Sequence, residues 1–74
     1  MRLPRMTAIE LKRMLEREGF RHTHTTGSHM VFKHPDGRKT VVPYHQGEEI
    51  GPGLLNKIIK KDLLMTREEF LKRR

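Results

Sequence analysis

Histidine is the side chain whose unperturbed pKa lies near neutrality, so it can both take and give protons there. This chain carries five: His22, His24, His29, His34 and His45. His29 stands apart. It follows Gly27-Ser28, a Gly-first pair of the kind a type II′ hairpin turn requires. It also opens the stretch Met30-Val31-Phe32-Lys33, which alternates like a half-buried strand. A histidine at the head of a strand, beside a tight turn, could act as a general acid or base, or be a strand residue hydrogen-bonded in place.

Proton transfer by a single histidine serves many reactions; on a nucleic-acid phosphodiester it would need cations beside it to hold the phosphate. His29 could be base or acid. Lys33, Arg38 and Lys39 on the following hairpin could hold phosphate, or be no more than a solvated turn. His45, in Pro43-x-His45, is a candidate second acid–base group; otherwise it is a loop residue or a phosphate or partner contact. Ser28 belongs to no Gly-x-Ser-x-Gly elbow, so its expected role is turn geometry or a hydroxyl contact to phosphate. His22 and His24, two apart on a strand, should share a face. No cysteine exists and no carboxylate clearly completes a metal set, so neither metal nor cofactor is expected.

The elements that must position these groups are legible. Thr7-x-x-Glu10 is a capping box that starts a first helix, with Met6 and Leu11 as its hydrophobic staple. Leu11, Met14 and Leu15 form the apolar stripe with Ala8 at its edge, while Lys12, Arg13 and Glu16 face water. Gly19 ends this helix in a left-handed cap, and Phe20 folds back onto Leu15. Residues 21–26 read as a first strand, 28 or 29 to 34 as a second and 38–43 as a third. Pro35-Asp36-Gly37 is a three-residue hairpin loop between the last two. Pro43 ends the third strand or lies on an edge. After a polar loop over 44–49, a second helix opens at Gly51 with Pro52 in its first turn. Ile50 and Leu55 staple it, Leu55, Ile58 and Ile59 are its buried stripe, and Lys57, Lys60 and Lys61 its basic face. Thr66-x-x-Glu69 caps a short last helix, with Met65 and Phe70 as staple and a basic end at 72–74.

The order α-β-β-β-α, plus the short C-terminal helix, predicts an α+β fold: a three-stranded antiparallel meander with helices on one face. Met30 and Phe32 belong beneath the helices. His29, Val31 and Lys33 then take the opposite face, where RNA could reach them.

The chain of 74 residues is one expected domain, 1–74, with 34% hydrophobic residues and hence a small core. No apolar run is long enough for a bilayer span, and the basic start leads into no apolar signal region, so the cytoplasm is the default compartment. Sixteen Lys and Arg against nine Asp and Glu give a net charge of +7, with a pI near 10.4. That balance points to a polyanion partner, the bland reading being solubility through net charge. Nucleic acid is favoured over membrane, because no helix pairs a wide apolar face with a purely basic one. Lys57 and Lys60 then read as an RNA track or as a solvated helix face.

At this point the chain resembles the HicA (YcfA-like) family of toxin mRNA interferases. The resemblance rests on Leu3-Pro4-Arg5, on a first helix ending at Gly19-Phe20, and on Gly27-Ser28-His29. It continues through His34-Pro35-Asp36-Gly37-Arg38, Val42-Pro43-Tyr44-His45, Pro52-Gly53-x-Leu55 and Glu68-Glu69-Phe70-Leu71. It implies a fold similar to the double-stranded-RNA-binding domain and an endoribonuclease that cleaves mRNA and arrests translation. It implies His29 as the catalytic histidine, no metal requirement, and neutralisation by a HicB-type antitoxin, in a complex whose stoichiometry is open. The chain departs from the family in His24-Thr25, Leu54 and Leu63, and its link into the last helix is one residue longer. The competing expectations are a non-catalytic RNA-binding module of the same fold and a structural subunit of a larger complex.

Overall fold

A computed structural model describes residues 5–73; Leu3 and Pro4 of the sequence motif, the start of the basic N-terminus and Arg74 lie outside the described residues. The order is α1 (Ala8–Arg17), β1 (Arg21–Thr26), β2 (His29–Lys33), β3 (Lys39–Pro43), α2 (Pro52–Lys57), a π-helical segment Ile58–Asp62, and α3 (Arg67–Arg73). The three strands form an antiparallel sheet in the order β1-β2-β3. Met30, Phe32 and Val42 on its inner face share one buried cluster with Leu11, Met14 and Leu15 of α1, Leu55, Ile58, Ile59 and Phe70. The helices therefore cover one face, as the alternation along β2 predicts. The fold is α+β, compatible with that of the double-stranded-RNA-binding domain.

The helix ends follow their local chemistry. In the first capping box Thr7 N–H donates to Glu10 Oε1 (2.9 Å), and Glu10 N–H to Thr7 Oγ1 (3.2 Å). The second box repeats this at Thr66 and Glu69 (2.9 and 3.1 Å). The backbone N–H of Thr66 on the Glu69 carboxylate is the main reason its pKa lies below the ordinary value. At the far end of α1, Phe20 N–H reaches Leu15 C=O (2.9 Å) and Gly19 N–H reaches Glu16 C=O (3.1 Å). Gly19 carries φ +95°. That is a Schellman cap, in which the helix's last free carbonyls are satisfied and Phe20 is folded into the core.

Four features exceed the sequence reading. β1 contains a bulge: His22 faces Phe32 and His24 faces Val31, so Thr23 is the extra residue. His22 and His24 consequently lie on opposite faces of the sheet, not on one. The second helix changes to π geometry at Ile58, where Leu63 N–H bonds Ile58 C=O (2.9 Å). A π turn carries more residues than an α turn. The segment closes with Leu64 at φ +57°, in the left-handed region. Lastly, Thr40 is a buried polar residue of β3. Its hydroxyl donates to Asp62 Oδ2 (2.9 Å), tying the sheet to the end of the π segment.

The two left-handed caps differ in residue type, and that difference is measurable. A Cβ on Gly19 would stand 2.9 Å from His34 Nε2, and an L-residue in that conformation costs about 1–2 kcal/mol. Gly19→Ala should lower stability by at least about 1 kcal/mol. Leu64 is the reverse case: it is 69% exposed, so little packing is lost on truncation. Leu64→Gly should therefore raise stability by about 1 kcal/mol through relief of backbone strain. Urea unfolding followed by circular dichroism checks both signs.

Candidate functional site

The turn that presents His29 is built as its residues require. Gly27 has φ +59° while Ser28 does not enter the left-handed region, the sign pattern of a type II′ turn. Thr26 and His29 close the hairpin as register partners. Ser28 is half-buried, and its carbonyl accepts the N–H of Tyr44. That bond draws the chain after β3 against the β1–β2 turn. His29 faces Pro43 in the register, and His45 follows Pro43 by two residues. His29 and His45 are thus brought to the same end of the sheet.

The five histidines are not equivalent. His34 is fully engaged: Nε2 donates to Glu18 C=O (3.1 Å), Nδ1 accepts from Asp36 N–H (3.1 Å), and the ring packs edge-on to Phe20 with centroids 4.9 Å apart. His22 lies over Phe32 and contacts Thr25 Oγ1 (2.8 Å). His24 Nδ1 contacts Thr23 Oγ1 (3.1 Å). His29 and His45 are exposed, and among the described residues no hydrogen bond holds either ring. An imidazole with both nitrogens open to solvent is the form that can exchange a proton with a bound molecule.

The cations divide between the two sides of the sheet. Arg38 is held inside the fold. Its Nε donates to Asp36 Oδ2 (2.7 Å), its Nη1 to Leu63 C=O (2.7 Å), and its guanidinium lies 5.1 Å from the Phe20 ring centre. Its backbone N–H also donates to Asp36 Oδ1 (3.0 Å); this bond is the largest influence holding the Asp36 carboxyl below its ordinary pKa. Arg38 thus supports the hairpin turn. Lys57 and Lys60 lie in the helical layer, on the other side of the sheet from His29; Lys57 Nζ is 3.6 Å from Asp62 Oδ2.

Lys33 and Lys39 are register partners on the open face. Sequence reasoning missed the third member. Arg21 faces Lys33, because the bulge at Thr23 shifts the start of β1 by one residue and turns Arg21 outward. Arg21, Lys33 and Lys39 form a row across all three strands. A pairing pattern alone cannot reveal an internal bulge, so nothing in the unaligned sequence singled out Arg21. Among the described residues no carboxylate pairs with any of the three. Nor do those residues contain a group of three or more His, Cys, Asp or Glu side chains placed to hold a metal ion.

Like charges facing one another across strands destabilise a sheet. Replacing Lys33 by Thr, which also favours a strand, should stabilise the protein by about 0.5 kcal/mol in low salt. The gain should fade near 1 M salt, where the screening length drops to about 3 Å. Thermal unfolding of Lys33→Thr at the two salt concentrations provides the check.

Residues 9–63 match the family model described as HicA toxin of bacterial toxin-antitoxin. The matched span exceeds half of the chain and runs from α1 to the end of the π segment; α3 lies beyond it. No curated protein matches the sequence.

Proposed function

The chain belongs to the HicA toxin family, and from that membership we propose that it is an endoribonuclease that cleaves mRNA and so arrests translation. The family belongs to toxin–antitoxin systems, so an antitoxin is the implied partner. We propose that this partner is of the HicB type and that the pair acts in the cytoplasm. The observation that carries the catalytic reading is the state of His29. It is solvent-exposed at the edge of an uncovered sheet face, with no hydrogen bond from the described residues committing its ring to the fold.

In this reading the 2′-oxygen of the RNA attacks the adjacent phosphorus. The P–O2′ bond forms and the P–O5′ bond breaks, leaving a 2′,3′-cyclic phosphate and a free 5′-hydroxyl. His29 takes the proton from the 2′-hydroxyl or gives one to the 5′-oxygen. His45, at the same end of the sheet, is the candidate for the opposite transfer. Gly27 and Ser28 set the turn that aims His29. No step calls for a metal. An antitoxin that covers the open face would exclude RNA and bury His29 together, so the stoichiometric complex should be inactive.

The test is purified protein with a long mRNA in excess EDTA, beside His29→Ala. Wild type should yield discrete fragments. The variant should be slower by about two to four decades while still retarding RNA on a gel. A deoxyribose placed at a mapped cleavage position should block that cut. Intact RNA with both proteins, and a mobility shift with both, would instead establish a non-catalytic RNA-binding module.

A further inference from the structure

The open face has a second feature besides His29, set at its other end. Arg21, Lys33 and Lys39 stand side by side on β1, β2 and β3, with strands about 4.8 Å apart. All three are exposed, and none is paired with a carboxylate among the described residues. The next outward row is His24, Val31 and Val41. Beyond it lies the row of Thr26, His29 and Pro43. The formal positive charge of this face is therefore concentrated in one row. Along β2 that row is separated from His29 by about 13 Å, four residues at about 3.3 Å each. Rooted that far from His29, these groups are better placed for a neighbouring phosphate than for the one being cut there. They can grip another phosphate of the same strand.

We propose that Arg21, Lys33 and Lys39 form a phosphate-binding row that anchors single-stranded RNA across the open sheet face, at a phosphate other than the scissile one. This rests on the ribonuclease reading of His29. The strand must be single because attack by the 2′-oxygen requires that oxygen, the phosphorus and the 5′-oxygen to align. A regular A-form duplex holds them out of line. Recognition of such a duplex also depends on contacts spread over successive grooves, whereas this row and His29 share one flat face. Lys33 sits at the centre of the row, and the β1 bulge supplies Arg21. The three residues are positioning residues: they hold the RNA and touch no reacting atom.

The row predicts a salt signature that does not depend on cleavage. For single strands each neutralised phosphate contributes about 0.7 to the slope of log K against log salt. Binding of a fluorescent single-stranded oligoribonucleotide is measured by anisotropy in the His29→Ala protein, from 50 to 200 mM salt. Adding Arg21→Gln, Lys33→Gln and Lys39→Gln should flatten the slope by about 2, and Arg21→Gln alone by about 0.7. The loss of affinity over that salt range should shrink by about 20-fold in the triple variant. A charge-matched control carrying Arg13→Gln, Arg17→Gln and Lys72→Gln should keep the original slope. With His29 restored, the row variant should raise KM and leave kcat within about twofold, the mark of lost uniform binding. Equal slopes for row variant and control would overturn the proposal. Row-dependent binding that is tighter for a paired duplex of the same sequence would overturn the single-strand assignment. Absence of cleavage by the His29 protein would remove the ribonuclease reading, while the slope would still report on the row.

Discussion

A three-stranded sheet has two faces, and a chain this small has apolar residues enough to cover one. Phe32, Leu55, Ile58, Ile59 and Phe70 are all fully buried in the single cluster beneath the helices. Everything else follows from that one-sided burial. β3 alternates exposed and buried residues, β1 is exposed along its whole length, the helices present their stripes to the same side, and the second face is left without a helical cover. Val31 shows the limit of that openness: it is only 7% exposed on the outer face, covered in part because it lies on the central strand. Val41, its partner on edge strand β3, is 38% exposed. The face is thus a solid, mostly polar surface with a buried aliphatic centre.

On such a sheet, the identity of each outward residue depends on register. One extra residue in β1 changes which side chains point where. It sends His22 inward against Phe32, leaves His24 outward, and places Arg21 beside Lys33. Thr23, the inserted residue, is itself tied down, since its hydroxyl donates to Val31 C=O (3.3 Å). A side chain bonded across to β2 stabilises the irregularity that the backbone ladder cannot satisfy.

The net charge of +7 does not describe how the positive charge is distributed. Arg38 is bound to Asp36 and to a helix-end carbonyl. Arg73 reaches Glu18 (2.6 Å), which fastens α3 to the end of α1 and raises the Arg73 pKa, mainly through that hydrogen bond. These cations are parts of the fold. Arg21, Lys33 and Lys39 are held by none of the described carboxylates, and their mutual repulsion is a cost left standing. An exposed histidine and cations without a carboxylate partner among the described residues thus lie on one uncovered face.

Local signals were legible because each involves neighbours in sequence. The two capping boxes, the Gly19 cap with Phe20, the Gly27-Ser28 turn and the Pro35-Asp36-Gly37 loop are all decided within about five residues by backbone sterics and short hydrogen bonds. They determined the order of elements and the face of β2, and the Gly-Ser-His motif marked His29. What the sequence could not decide depends on residues distant along the chain. The bulge at Thr23 is defined only against β2, and the π geometry at Ile58 only where the helix must meet both β3 and α3. Arg38's place is set by Leu63, a residue far along the chain. The same holds for the division of the histidines, since His34 and His22 are engaged by tertiary partners whereas His29 and His45 are not. Local backbone chemistry specified the parts; the register between strands and the single shared core decided which side chains face water together.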